Sequence, residues 1–210
     1  MAPKGGNFEA MSVLPRALIW QRVDTHGAEF TAFDDRRGLV ARGAATCADP
    51  IPYTCRYELV TDPEWVSTRF EATVEGAGWL RTVRMERAAG RWRVTTAEQG
   101  NLEAQVPSAP FPGSEDPSRL SDALDVDLYA SPLTNTLPIR RLGLLKQPAG
   151  TTRKITAAWI LLPSLAVLPL EQTYTVLEPG KVRYASGDFV VDIDIDSDGF
   201  VTYYPGLGRR

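Results

Sequence analysis

The run from Asp125 to Leu142 gathers two carboxylates, one amide and two guanidinium groups on a short length of chain: Asp125, Asp127, Asn135, Arg140 and Arg141. Asp125 and Asp127 fall on the same side of an extended segment, because side chains alternate along a strand. Two neighbouring carboxyls can act as acid and base in glycoside hydrolysis. They can equally accept hydrogen bonds from sugar hydroxyls, or simply pair with Arg140 or Arg141. Pairing ranks first, since a buried charge needs a matched partner. Ligand binding ranks second and catalysis third. Read as extended chain, Arg140 and Arg141 point to opposite faces, so at most one turns inward. That one is expected within salt-bridge reach of Asp127 or Glu29.

Other constellations point to structure. The single histidine, His26, sits in Asp24-Thr25-His26-Gly27, a hairpin turn, where a general base would lack packed partners. Glu75-Gly76-Ala77-Gly78-Trp79 is a hairpin turn and no phosphate loop. Asp194, Asp196, Asp198 and Gly199 mimic the start of a calcium loop, but Pro205 stands where the bidentate glutamate belongs. Asp192, Asp194 and Asp196 alternate with Ile193 and Ile195, which reads as the wet face of a strand. Cys47 and Cys55 flank Asp49-Pro50-Ile51-Pro52, and a hairpin there brings them near each other. They are read as two small, semi-buried thiols. No metal site and no cofactor are expected.

The elements that must carry these groups are short and β-like. Segments 17–24, 28–33, 39–47, 53–61, 65–75, 79–87 and 91–97 are rich in Val, Thr, Tyr, Phe and Trp, with Gly, Asp or Pro turns at hairpin spacing. Residues 106–118 hold four prolines and Gly113, so they form a long loop outside the ladder. A short helix capped by Ser118 is expected over 118–124. Strand-like segments resume at 154–162, a central strand apolar on both faces, and at 170–177, 182–185, 189–196 and 200–204. About a dozen strands without a βαβ rhythm imply antiparallel connections. The fold class is mainly β: one domain over 16–210, a large curved sheet forming a barrel, half-barrel or sandwich, with few short helices. Residues 1–15 read as an N-terminal extension. In 79–87, apolar and charged residues mix on both faces, as expected of a sheet curved around a partly wet trough.

Composition narrows the class of partner. A formal charge of −3, from 23 basic and 26 acidic residues, leaves no footprint for nucleic acid or an anionic membrane. The apolar run 157–170 is cut by Pro163 and Pro169 and is too short to span a bilayer. With no apolar leader after Met1, a cytoplasmic location is expected. The oligomeric state is left open.

The block from Ser131 to Leu142, preceded by Asp127-Leu128, resembles the signature of a bacterial family named putative glycolipid-binding, formerly a domain of unknown function. Trp20-Gln21-Arg22 with Gly27 and Glu29, Trp65 with Thr68-Arg69, Ala158-Trp159 with Pro163, Gln172-Thr173-Tyr174 and Tyr204-Pro205-Gly206-Leu207 add to it. The resemblance implies a mainly β fold likened to bacterial carriers whose half-barrel encloses lipid. Together these readings lead to non-enzymatic binding of a small amphiphile, a glycolipid or related lipid. An apolar trough is expected to bury the tail, and Arg22, Glu29, Arg69, Asp127, Asn135, Arg140, Tyr174 and Tyr204 to hold the head. The alternatives are a glycoside hydrolase using Asp127 and Glu29, and an interaction module without a small ligand.

Overall fold

The computed structural model describes residues 14–210, so most of the extension expected over 1–15 lies outside the described residues. Seven hairpin-linked strands come first: β1 (Ala17–Arg22), β2 (Gly27–Asp34), β3 (Val40–Cys47), β4 (Tyr53–Thr61), β5 (Ser67–Gly76), β6 (Trp79–Ala88) and β7 (Arg91–Gly100). Each pairs antiparallel with its sequence neighbour. Alternation sets the faces: in β4, Tyr53, Cys55, Tyr57, Leu59 and Thr61 are buried while the residues between them are not.

The second half begins with β8 (Ala123–Leu128), a strand where part of a helix was expected. It pairs parallel with β9 (Thr152–Ile160). A second antiparallel series follows: β10 (Val167–Glu178), β11 (Lys181–Ser186), β12 (Phe189–Ile195), β13 (Val201–Tyr204) and β14 (Gly208–Arg209). β14 pairs with β1, joining the two series into one sheet of fourteen strands with β7 and β8 at its edges. β9, between β10 and β8, is the second strand from an edge, not a central one; its buried Ala158 and Ile160 face the core inside the curl, while Ala157 is buried on the other face.

The curl brings the edges together without closing the ladder. The Trp92 indole of β7 donates to the Ala123 carbonyl of β8 at 2.9 Å, and Ser67 of β5 accepts from the Val126 amide at 3.1 Å. Between them the interior is filled: Trp20, Leu59, Phe70, Val83, Met85 and Leu128 belong to one continuous apolar cluster. The apolar trough expected in this half is therefore solid core.

The charge mixed into β6 has a different cause from the wet trough expected of it. Arg81 is 1% exposed and binds the carbonyls of Pro110 (2.6 Å) and Ser164 (3.2 Å) and the carboxylate of Glu98 (2.8 Å). It pins the Pro-rich segment against the sheet. That segment lies outside the strands, with Gly113 also exchanging backbone bonds with Leu165 and Val167. The helix expected over 118–124 is a 3-10 turn at Pro117–Leu120, capped by Asp116 in place of Ser118. The real α-helix is α1 (Thr136–Arg141), in the stretch read as extended chain. No helix among the described residues is long and apolar enough to cross a membrane.

Candidate ligand-binding cleft

Register along the second series places one set of side chains on a common face. Trp159 pairs with Leu168, Tyr174 with Tyr184, and Ser186 with Phe189. Leu170 shares the Leu168 side of β10, since it lies two residues on. This face forms one wall of a cleft of about 460 Å³. The turn after β8 (Tyr129, Ala130, Ser131) and the β13–β14 turn (Pro205, Gly206, Leu207) complete the lining. Ala130 holds φ at 66°, a conformation uncommon outside glycine, and such strain often marks sites that position a side chain.

The polar floor is Asp127 and Asn135. Asp127 accepts from the Thr134 hydroxyl at 3.0 Å and the Gln172 amide at 2.6 Å. Burial raises its carboxyl above the ordinary value, Thr134 and Gln172 oppose that rise, and Asp125 reinforces it. The Asn135 side-chain carbonyl accepts from Tyr174 at 3.1 Å, which leaves its amide hydrogens for a ligand. Tyr174 is itself fully packed, so it supports the floor from behind and does not line the cleft. Tyr204 does line it, with Tyr129, Trp159, Tyr184 and Phe189.

The arginines are elsewhere. Arg141, from α1, forms a bidentate pair with Asp125 (2.5 and 3.0 Å), where pairing with Asp127 or Glu29 was expected. The reason is the helix: it ends in Arg140-Arg141 at roughly 100° spacing, sending Arg141 to β8 and Arg140 to the other side. Arg140 binds the Asp198 carbonyl at 2.5 Å and stacks over Trp65 at 4.4 Å. Arg69 pairs with Glu58 on the side of β5 opposite buried Phe70. Arg22 pairs with Asp24, whose carboxylate stands at the cleft's lip. Among the described residues, none of the three arginines expected at the site, Arg22, Arg69 and Arg140, lines the cleft, and neither does Arg141.

Glu29 makes a separate centre. It is 3% exposed and accepts from Tyr57, from Ser131 at 2.6 Å and from Thr31 at 3.5 Å, while its second oxygen has no partner among the described residues. Gly43, opposite Tyr57, leaves room for the ring to reach in; a Cβ there would collide with it. Glu29 borders a small void behind Ser131 and not the cleft that Asp127 faces. The two carboxyls therefore do not flank one substrate, as an acid–base pair would.

The remaining motifs are structural. Asp196 accepts the backbone amides of Asp198 and Phe200, both at 2.9 Å, and pairs with Arg210. Cys47 and Cys55 are buried thiols; burial pushes the Cys55 thiol up to about 12.

Burial also raises Glu29 and Asp125 above the ordinary carboxylate value, so the folded chain holds those protons more tightly than the unfolded one. Their contribution to stability is fullest in acid and declines as pH rises beyond the ordinary range. Glu29→Gln removes one such group while keeping an acceptor for Tyr57 and Ser131. Urea unfolding across pH should show the variant gaining on wild type as pH rises above the ordinary glutamate value of 4.5. A difference independent of pH would refute the assignment. Asp34, Asp116 and Asp192, all held low by exposed partners, tilt both curves equally.

The described residues thus form one open, curled sheet with a cleft whose lining is aromatic on its sides and polar at Asp127 and Asn135. The chain matches the family described as "Putative glycolipid-binding" over residues 17–210, and it belongs to that family. It is similar to a protein of the DUF1089 family from Pseudomonas aeruginosa, known from a crystal structure. The two share 25% identity with a TM-score of 0.60, over 100% of this chain and 98% of that one. No curated protein matches the chain. Of the stretches that carry the family resemblance, Asp127-Leu128, Ser131, Asn135, Trp159 and Tyr204 to Leu207 line the cleft.

The sequence did not single out Tyr184, Phe189 or Gln172 as site residues. Only Gln172 carried a signal, through its place beside Tyr174 in the resemblance; the two aromatics look like any strand residues until register brings them together.

Proposed function

We propose that the protein binds an amphiphile by its polar head. The head enters the cleft and meets Asp127 and Asn135, while the tail leaves across an apolar lip. One observation carries this reading: a cleft with a carboxylate and an amide at its floor has five aromatic side chains on its walls. Carboxylate and amide groups suit hydroxyl-rich heads, and aromatic faces suit the apolar side of a sugar ring. Part of the lip is exposed and apolar: Phe189 is 53% and Tyr129 45% accessible. Solid packing of the first half of the sheet leaves the tail outside the interior. Nothing in this arrangement calls for chemistry on the ligand.

Titration of a fluorescent alkyl glycoside should give saturable binding. Asn135→Ala should weaken it by about 1 kcal/mol, roughly fivefold, for one lost hydrogen bond. Arg69→Ala should leave it unchanged, because that side chain is paired with Glu58 away from the cleft. Absence of saturable binding across glycoside, amine and fatty-acid probes would reject the proposal and favour an interaction module.

A further inference from the structure

We infer that the head group selected by this cleft carries a protonated amine, an inference that rests on the binding reading above and concerns the same site. The cleft lining combines two carboxylates, Asp24 and Asp127, with five aromatic side chains and no lysine, arginine or histidine among the described residues. Two guanidiniums close to these carboxylates are already engaged. Arg22 lies 2.5 Å from Asp24, and Arg141 lies 2.5 Å from Asp125 on the strand that carries Asp127. Asp127 itself is satisfied only by neutral donors, the Thr134 hydroxyl and the Gln172 amide. A carboxylate so placed lacks a counter-charge, and a ligand ammonium would supply it through a charge-assisted hydrogen bond.

The walls agree with the floor. Tyr184 meets Phe189 at 6.0 Å and Tyr204 at 6.4 Å between ring centroids, at 63° and 52°, while Tyr129 meets Trp159 at 6.2 Å and 73°. Rings tilted in this way present faces in several directions around one space. Aromatic faces carry negative quadrupole potential and attract ammonium groups, with Trp and Tyr the stronger. An anionic head would meet the opposite: the uncompensated Asp127 carboxylate and aromatic faces, with no cation in the lining to receive it. The order expected is amine first, neutral glycoside second and carboxylate last.

The groups facing Asp127 set how binding responds to pH. They are Asp125 on its own strand, Tyr174 and Tyr184 from β10 and β11, and Tyr204 from β13. The tyrosines stay neutral, and Arg141 offsets Asp125. Asp24, with Arg22, is held below the ordinary value, burial opposing that shift, and so stays charged. Asp127 is therefore the group that titrates in the cleft, from a raised value. Amine affinity should rise as pH rises through that value, and glycoside affinity should change little.

Octylamine, octyl glucoside and octanoate share one tail and differ in head charge. Each is titrated below its aggregation threshold into wild type and Asp127→Asn, with circular dichroism confirming the fold. Wild type should bind the amine at least tenfold more tightly than the glucoside, the scale of a charged hydrogen bond. Asp127→Asn should abolish that advantage, so that amine and glucoside bind the variant about equally. The pH dependence of octylamine binding to wild type provides a readout that survives if the variant does not fold. Glucoside binding equal to or tighter than amine, or amine affinity flat with pH, would overturn the inference and leave amphiphile binding standing. Tightest binding of octanoate would overturn it too. Failure of all three probes would reject the binding reading itself.

Discussion

Replacing Arg141 by methionine should destabilise the protein by about 3–5 kcal/mol, the range seen when one partner of a buried ion pair is removed. The side chains of Arg141 and Asp125 are 13% and 2% exposed, and both carboxylate oxygens of Asp125 accept from the guanidinium. Methionine retains much of the apolar stem, so lost packing contributes little and the stranded carboxylate dominates. Asp125 would then be driven to take up a proton, since burial already raises it and Arg141 is the group that opposes that rise. The loss should therefore be largest at neutral pH and shrink in acid. Replacing both residues, Asp125→Leu with Arg141→Met, should recover most of it. Urea unfolding at two pH values measures wild type and both variants. A single-variant loss below about 1 kcal/mol, typical of exposed pairs, would show that the pair is not buried in solution.

That pair also shows where sequence reasoning reached and where it stopped. Two carboxylates and two arginines in one stretch were legible, and so was the rule that a buried charge needs a partner. The choice of partner was not. It depends on whether Thr136–Arg141 is helix or extended chain, and a proline inside a helix ordinarily removes a backbone hydrogen bond. Within the first turn, however, a proline needs no amide partner, and Thr136 to Pro138 is that first turn. The helix then rotates Arg141 toward β8 and Arg140 toward Trp65.

Strand positions were far more legible, because alternation and turn residues act over a few residues. β4 and β5 are readable from their own side chains. β8 is not: one edge of it faces the curled sheet, so its neighbours Asp125 and Val126 are both buried and alternation vanishes. The cleft depended on a longer-range fact still, the register that aligns Trp159, Tyr184 and Phe189. Asp127, Asn135 and Tyr204, which line the cleft, were legible through the family resemblance, whose stretches contain them. Arg69 was misplaced because a charged residue in a strand next to apolar ones carries no mark of which face it occupies.

Trp20→Ala should cost about 3–5 kcal/mol, as expected for a large aromatic truncated in a packed core, and the damage should concentrate where the two series of strands join. Trp20 is 1% exposed, and its indole donates to the Val201 carbonyl at 2.7 Å. Val201 belongs to β13, so this bond passes over β14 and ties β1 directly to the second series. The backbone seam it reinforces is thin. β14 has two residues, pairing Gln21 with Arg209 and Arg22 with Gly208 on one side, and Tyr203 with Arg209 and Tyr204 with Gly208 on the other. Trp20→Phe separates the contributions, keeping a ring in the core while stranding the carbonyl, and should cost about 1–3 kcal/mol. Hydrogen exchange supplies the spatial test: in Trp20→Phe, amides of β1, β13 and β14 should lose protection, while those of β4 and β5 keep theirs. Because Tyr204 and the β13–β14 turn line the cleft, the same variant should bind an alkyl glycoside more weakly with its fold intact. Uniform loss of protection across the sheet would mean that the fourteen strands open as one unit and that the seam has no separate stability.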